Sequence, residues 1–136
     1  MAKKKAKKDY IYAVGRRKSA SARVRLFKGI GDNVVNGDLV GKYFPGGTSK
    51  AVWQRPLETA KLATKYYFTV KVVGGGKQGQ LDATVLGLSR AIAKLSEEQR
   101  KAVKKVGLLT RDPRERERRK VGTGGKARRQ KQSPKR

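Results

Sequence analysis

Residues 66–95 read YYFTVKVVGGGKQGQLDATVLGLSRAIAKL. The first eight, Tyr66 to Val73, are aromatic and β-branched and form the strongest strand signal in the chain. After a glycine-rich stretch, Gln80 to Leu95 reads as a helix. Its Leu81, Val85, Leu88, Ile92 and Leu95 follow at steps of four, three, four and three, which lines them up as one apolar stripe. Gly87 and Ala91 lie four apart and give the helix a face of small side chains, where a neighbour can approach closely. A strand that runs through glycines into an amphipathic helix needs further strands to cover that stripe.

The segments on either side supply them. Tyr10 to Val14 is a short β-branched and aromatic run, and Gly15-Arg16-Arg17-Lys18 reads as a basic turn interrupting it. From Ala20 the pattern alternates: Ala20, Ala22, Val24 and Leu26 on one face, Ser21, Arg23, Arg25 and Phe27 on the other. Gly29 to Asn33 is a turn, and Val34-Val35 before Asn36-Gly37 is a third short strand entering another turn. The first two or three strands are expected to form an antiparallel meander. Residues 38–65 read as helical pieces, broken at Pro45-Gly46-Gly47. Thr48 or Ser49 is expected to cap a short helix with Val52 and Trp53, and Pro56 to open a second leading to Leu57, Ala60, Leu62 and Ala63. Ser96 ahead of Glu97, Glu98 and Gln99 caps a last helix, to about Val106, which Gly107 stops. The fold class is α+β: a small mixed or antiparallel sheet with helices on one face. We divide the chain into a basic arm (1–9), a globular domain (10–110) and an extended basic tail (111–136). The central hundred or so residues suffice for one modest core.

Charge bounds the function. The net charge is +26. Residues 1–8 hold five lysines, and residues 111–136 hold twelve Lys or Arg against three acids, so the domain between them is itself basic. A tail with Val121 and Ala127 as its only apolar side chains apart from Pro and Gly cannot offset the entropy of ordering itself, and seeks a polyanion. Nucleic acid is the expected partner. A membrane is not, since no stretch approaches the ~20 apolar residues of a spanning helix and neither basic end has an apolar face to insert. The chain contains no cysteine and no histidine, which removes disulfides, thiol catalysis, the usual zinc ligands and the commonest general base. No acid pair is placed for general acid and base work, so no enzyme, metal or cofactor is expected. The N-terminus lacks the apolar run of a secretory signal. A cytoplasmic protein fits, as does one made inside an organelle.

Three motifs bear on partners. Gly74 to Gly79 contains GxGxxG between strand and helix, the setting of a dinucleotide fingerprint, but no second strand follows and no acid sits where a ribose needs one. Nor does it continue as a P-loop. An RNA-backbone contact involving Lys77 is the favoured reading, ahead of a structural turn and of a nucleotide site. Arg16, Arg17 and Lys18 abut the strand bearing Arg23 and Arg25, so five cations are expected to share one phosphate-binding patch. Tyr10, Tyr12, Tyr43, Phe44, Tyr66, Tyr67 and Phe68 are read mostly as core aromatics rather than base-stacking platforms. Asp82 is expected to complement a helix dipole, Asp112 to cap or pair with a neighbouring arginine, and Glu115 and Glu117 to moderate repulsion.

Taken in order, GRRKSASARVRLFKG (15–29), the NG and KYF of 36–44, GGGKQGQLDATVLGLSRAI (74–92), GLLTRDPRERERRKVG (107–122) and the tail KARR…KR closely resemble the bacterial-type ribosomal protein S-nine family of the small subunit. The resemblance implies a fold like the second domain of ribosomal protein S-five and the ribonuclease P protein. It implies a place in the small-subunit head, bound to ribosomal RNA and beside other head proteins, and a tail whose final Lys135 and Arg136 approach peptidyl-site tRNA. Twenty-six extended residues span ~85 Å at about 3.3 Å each, enough for that reach. This chain departs from the family's usual aromatic-Ser-Lys-Arg ending, with Gln132-Ser133-Pro134 before Lys135. The expected ribosomal-RNA contacts are Arg16, Arg17, Lys18, Arg23, Arg25 and Lys77 in the domain. In the tail they are Arg111, Arg114, Arg116, Arg118, Arg119, Lys120, Lys126, Arg128, Arg129 and Lys131. The rival reading is a protein subunit of an RNA-processing ribonucleoprotein, which would need a basic cleft but no long tail.

Overall fold

The computed structural model describes residues 10–115 and 118. The basic arm and the tail positions 116, 117 and 119–136 lie outside the described residues. Five strands form one sheet: β1 (Tyr10–Arg17), β2 (Ala20–Lys28), β3 (Val34–Val35), β4 (Asp38–Leu39) and β5 (Tyr66–Val73), in the order β1-β2-β5-β3-β4. Four helices accompany them: α1 (Val40–Tyr43), α2 (Gly47–Thr59), α3 (Lys77–Ala93) and α4 (Glu97–Lys105). The α+β reading holds, but the meander is corrected. β2 turns back on β1 as expected, whereas β5 enters between β2 and β3, antiparallel to the first and parallel to the second. Asn33 and Asn36 carry that join, because each side chain stands in for strand backbone. Asn33 Oδ1 accepts from the Phe68 N–H at 3.1 Å, and Asn36 Oδ1 accepts from the Val72 N–H at 2.8 Å.

The alternation in β2 sets the core. Ala20, Ala22, Val24 and Leu26 are buried on the helix side with Phe68, Val70 and Val72 of β5. Against them α3 sets Leu81, Ala83, Leu88, Ala91 and Ile92, while α2 adds Trp53 and Leu57 and α4 adds Val103. Full burial of each large aliphatic contributes about 1.5–3 kcal/mol. The small-residue face of α3 does what its spacing predicts, through a partner the sequence reading assigned to a turn. Gly15 lies within β1, and a Cβ there would stand 1.9 Å from the Ala83 carbonyl oxygen and 2.3 Å from the Gly87 nitrogen. Strand and helix meet backbone to backbone. Gly15, Arg16 and Arg17 are therefore strand residues, and the hairpin corner is Lys18-Ser19, with Lys18 at φ 53°.

Two helix boundaries also shift. α3 starts at Lys77 rather than Gln80, so Gly79 is a buried residue of its first turn and the glycine motif is partly helix. α2 is continuous from Gly47, capped by Gly46 rather than Thr48 or Ser49, with Pro56 inside it. Pro56 gives up one backbone bond in the helix, but its ring is fully buried, on the same helix that buries Trp53 and Leu57. α4 ends as expected, with Ser96 Oγ accepting from the Gln99 N–H at 3.3 Å and Gly107 at φ 82°.

Candidate nucleic-acid interface

Helices cover one face of the sheet. Among the described residues nothing covers the other face, and its side chains follow from strand parity and register. Across β1, β2 and β5 they form rows: Tyr10, Phe27 and Tyr67, then Tyr12, Arg25 and Thr69, then Val14, Arg23 and Lys71, then Arg16, Ser21 and Val73. No acid occupies any of these twelve positions. Arg16, Arg23, Arg25 and Lys71 are all exposed, and among the described residues none forms a salt bridge. Arg25 stacks its guanidinium 5.1 Å from the Tyr10 ring centre, which steers the charge without neutralising it. Four unneutralised cations on one face repel one another and favour a dense anion as partner.

Tyr10, Phe27 and Tyr67 are half-buried and pack against each other, Phe27 on Tyr67 at 5.1 Å and 11°, and Gly31 lies close against the Tyr67 ring. Their packing on one another makes this row an aromatic cluster at one end of the sheet. Phe44 and Phe68 are core residues, as expected for most of the aromatics.

Arg17 does not share the patch. It is one residue out of phase with Arg16 and points to the helix side, where its side chain is 12% exposed. There its Nε is 3.6 Å from Asp82 Oδ2, its Nη2 is 3.4 Å from Asp112 Oδ2, and its Nη1 donates to the Arg114 carbonyl at 2.5 Å. Asp112 in turn accepts from the Arg114 N–H at 3.0 Å and from its guanidinium at 2.6 Å. Hydrogen bonds from the Arg114 side chain and backbone, aided by the charges of Arg114 and Arg17, hold the Asp112 carboxyl well below the ordinary aspartate range. The same pair raises Arg114. Asp82 thus serves an ion pair in the second turn of α3 rather than the helix dipole, and Asp112 closes a two-residue turn and pairs with its neighbouring arginine. The root of the tail is bound to the domain by the arginine that sequence reading gave to RNA. Arg111 lies 3.8 Å from Glu115, and both are exposed.

Lys77 stands at the start of α3 with its ammonium 3.3 Å from the Tyr43 ring centre and donating to the Tyr43 carbonyl at 3.3 Å. Tyr43 Oη donates to Gln80 Oε1 at 2.7 Å, and Gln80 Nε2 donates to the Gly74 carbonyl at 3.0 Å. The KYF and GGGKQGQ segments, far apart in sequence, meet here to brace the glycine loop. Lys18 and Arg118 are exposed, while the remaining tail cations expected to bind lie outside the described residues. Lys71 was missed. Its parity with Tyr67 and Thr69 was available, but its pairing with Arg23 depends on the insertion of β5 beside β2. Among the described residues there is no cluster of potential metal ligands and no helix long and apolar enough to cross a membrane.

Residues 15–136 match the family described as ribosomal protein S9/S16. The chain belongs to that family. It is 45% identical over 118 residues to small ribosomal subunit protein uS9 of Maridesulfovibrio salexigens, a match covering 87% of this chain and 91% of that protein. It is 46% identical over 117 residues to uS9 of Solidesulfovibrio magneticus, covering 86% and 90%. With uS9 of Porphyromonas gingivalis the identity is 41% over 114 residues, covering 84% and 89%.

Proposed function

We propose that this chain is a structural constituent of the small ribosomal subunit, docked on small-subunit ribosomal RNA in the head, with its tail reaching peptidyl-site tRNA. The observation that carries the docking is the open face, where Arg16, Arg23 and Arg25 stand together with no acid among them. Family membership supports the small-subunit assignment. Lys18 at the hairpin corner and Lys77 at the glycine loop extend the cationic surface, and the tail arginines and lysines neutralise phosphates where RNA strands converge. Phosphate contacts of this kind fix position without reading sequence, so recognition falls to RNA shape. Arg17 contributes by holding the tail root at Asp112.

The tail's role is tested in assembled subunits. Replacing Lys135 and Arg136 by Ala should weaken peptidyl-site tRNA binding on the order of tenfold, a loss of about 1–2 kcal/mol in charge-assisted contacts. Subunit content of the chain should not change. Unaltered tRNA affinity would remove tRNA from the proposal and leave the ribosomal-RNA role to stand on its own tests.

A further inference from the structure

The cations alone do not account for the open face. Tyr12 (42%), Leu39 (55%) and Val73 (58%) are among the large hydrophobics left exposed. Parity and register put all three on this side, Leu39 through its pairing with Val34 and Val34's with Thr69. Between β2, β5 and the β3–β4 hairpin runs a shallow trough of ≈ 620 Å³, with Val34 and Thr69 in its lining and Arg23, Arg25 and Lys71 along it. The solvated face of an antiparallel sheet ordinarily alternates to mixed polar residues. This one carries cations and exposed apolar groups, with Ser21 and Thr69 between them.

A partner that satisfies both must bring flat apolar surface and dense negative charge along one line. A paired RNA helix presents phosphates and 2′-hydroxyls but keeps its bases stacked inside, whereas an unpaired strand presents bases and phosphates together. Arg23 and Arg25 are two residues apart on one face, ~6.7 Å along the strand, which lets them take neighbouring phosphates. We infer that the open sheet face is a docking surface for an unpaired segment of RNA. Its phosphates lie on Arg23, Arg25 and Lys71, while one base lies against Tyr12 and a separate base or ribose against Val73. The inference rests on the RNA-binding reading above and adds the form of RNA and the face that takes it.

The test uses the full chain and two probes of equal length, an unstructured oligouridylate and a blunt RNA duplex, titrated across salt. A Tyr12→Ala/Val73→Ser variant keeps every charge. It should bind the oligouridylate about tenfold more weakly, in line with loss of one stacked base, with an unchanged salt slope and unchanged duplex affinity. An Arg23→Gln/Arg25→Gln/Lys71→Gln variant should flatten the oligouridylate slope by about 2, the value for three single-strand phosphate contacts. Equal losses for both probes would make the occupant a duplex and overturn the inference. Unchanged binding by both variants would also overturn it and turn the face toward an acidic protein neighbour. Failure of the unaltered chain to bind either probe would instead sink the RNA-binding reading itself. Should the apolar variant not fold, the charge variant decides on both probes: a slope that flattens for the oligouridylate and not for the duplex supports the inference, and equal flattening for both overturns it.

Discussion

Arg16 and Arg17 are neighbours in sequence with opposite uses. Strand parity sends Arg16 to the open face and Arg17 into a network with Asp82 and Asp112. Replacing Arg17 by Ala leaves Asp82 without its cation and takes from Asp112 one of its two, Arg114 remaining. Loss of Arg17's hydrogen bond to the Arg114 carbonyl should lower stability by about 1 kcal/mol. Urea denaturation at neutral pH checks it, and Arg16→Ala should leave that midpoint unmoved. The Asp112 link has a predictable pH sense. Because its folded carboxyl is held below the ordinary 3.8, its contribution is complete above that value and fades as pH falls toward the depressed folded one. The stability gap between the unaltered chain and Asp112→Asn should therefore be flat from about pH 5 to 8 and narrow below about pH 4. A gap that widened on acidification would contradict the assignment. The basic character of this region was legible from GRRK and TRDPR, but its division between RNA and structure was not. That division depends on whether a residue is read as strand or turn, and Gly15 suggested a turn where α3 requires a glycine inside a strand.

At the scale of elements, the contact between α3 and the hairpin organises the domain. The absent Cβ atoms at Gly15 and Gly87 permit it: a Cβ at Gly87 would stand 2.7 Å from Val24 Cγ2 and 3.0 Å from the Gly15 nitrogen. Gly15→Ala meets backbone, which cannot yield, and should cost at least the ~3 kcal/mol upper range of overpacking. Gly87→Ala also meets backbone, but less closely, and should cost less. Equilibrium denaturation of the pair orders them. The same helix guards an edge, since β1 is the outermost strand on its side of the sheet. Arg90 Nη1 donates to the Val14 carbonyl at 2.8 Å and Lys94 Nζ to the Tyr12 carbonyl at 2.6 Å, occupying groups that another strand would otherwise take. An Arg90→Ala/Lys94→Ala variant should self-associate at concentrations where the unaltered chain stays monomeric in high salt, as read by sedimentation velocity. The strand 66–73 and the stripe of 81–92 were plain from local pattern, because period and propensity are local properties. The position of β5 between β2 and β3 was not, because it is decided by long-range pairing and by Asn33 and Asn36 acting as backbone.

For the whole molecule, a net charge of +26 repels itself in a free compact monomer and suits a chain built into a ribonucleoprotein particle. Free electrostatic association through six to ten phosphates would weaken on the order of 10³–10⁵-fold between 50 and 200 mM salt. A protein built into the small subunit, held at once by its sheet face, hairpin and tail, dissociates only if all three release together. Sedimentation of cell lysate through sucrose gradients at moderate and high salt, probing for this chain, separates the two cases. The account predicts that the chain stays with the small subunit at roughly one copy each at both salt concentrations. Release to the top of the gradient, or migration with a smaller ribonucleoprotein, would contradict it.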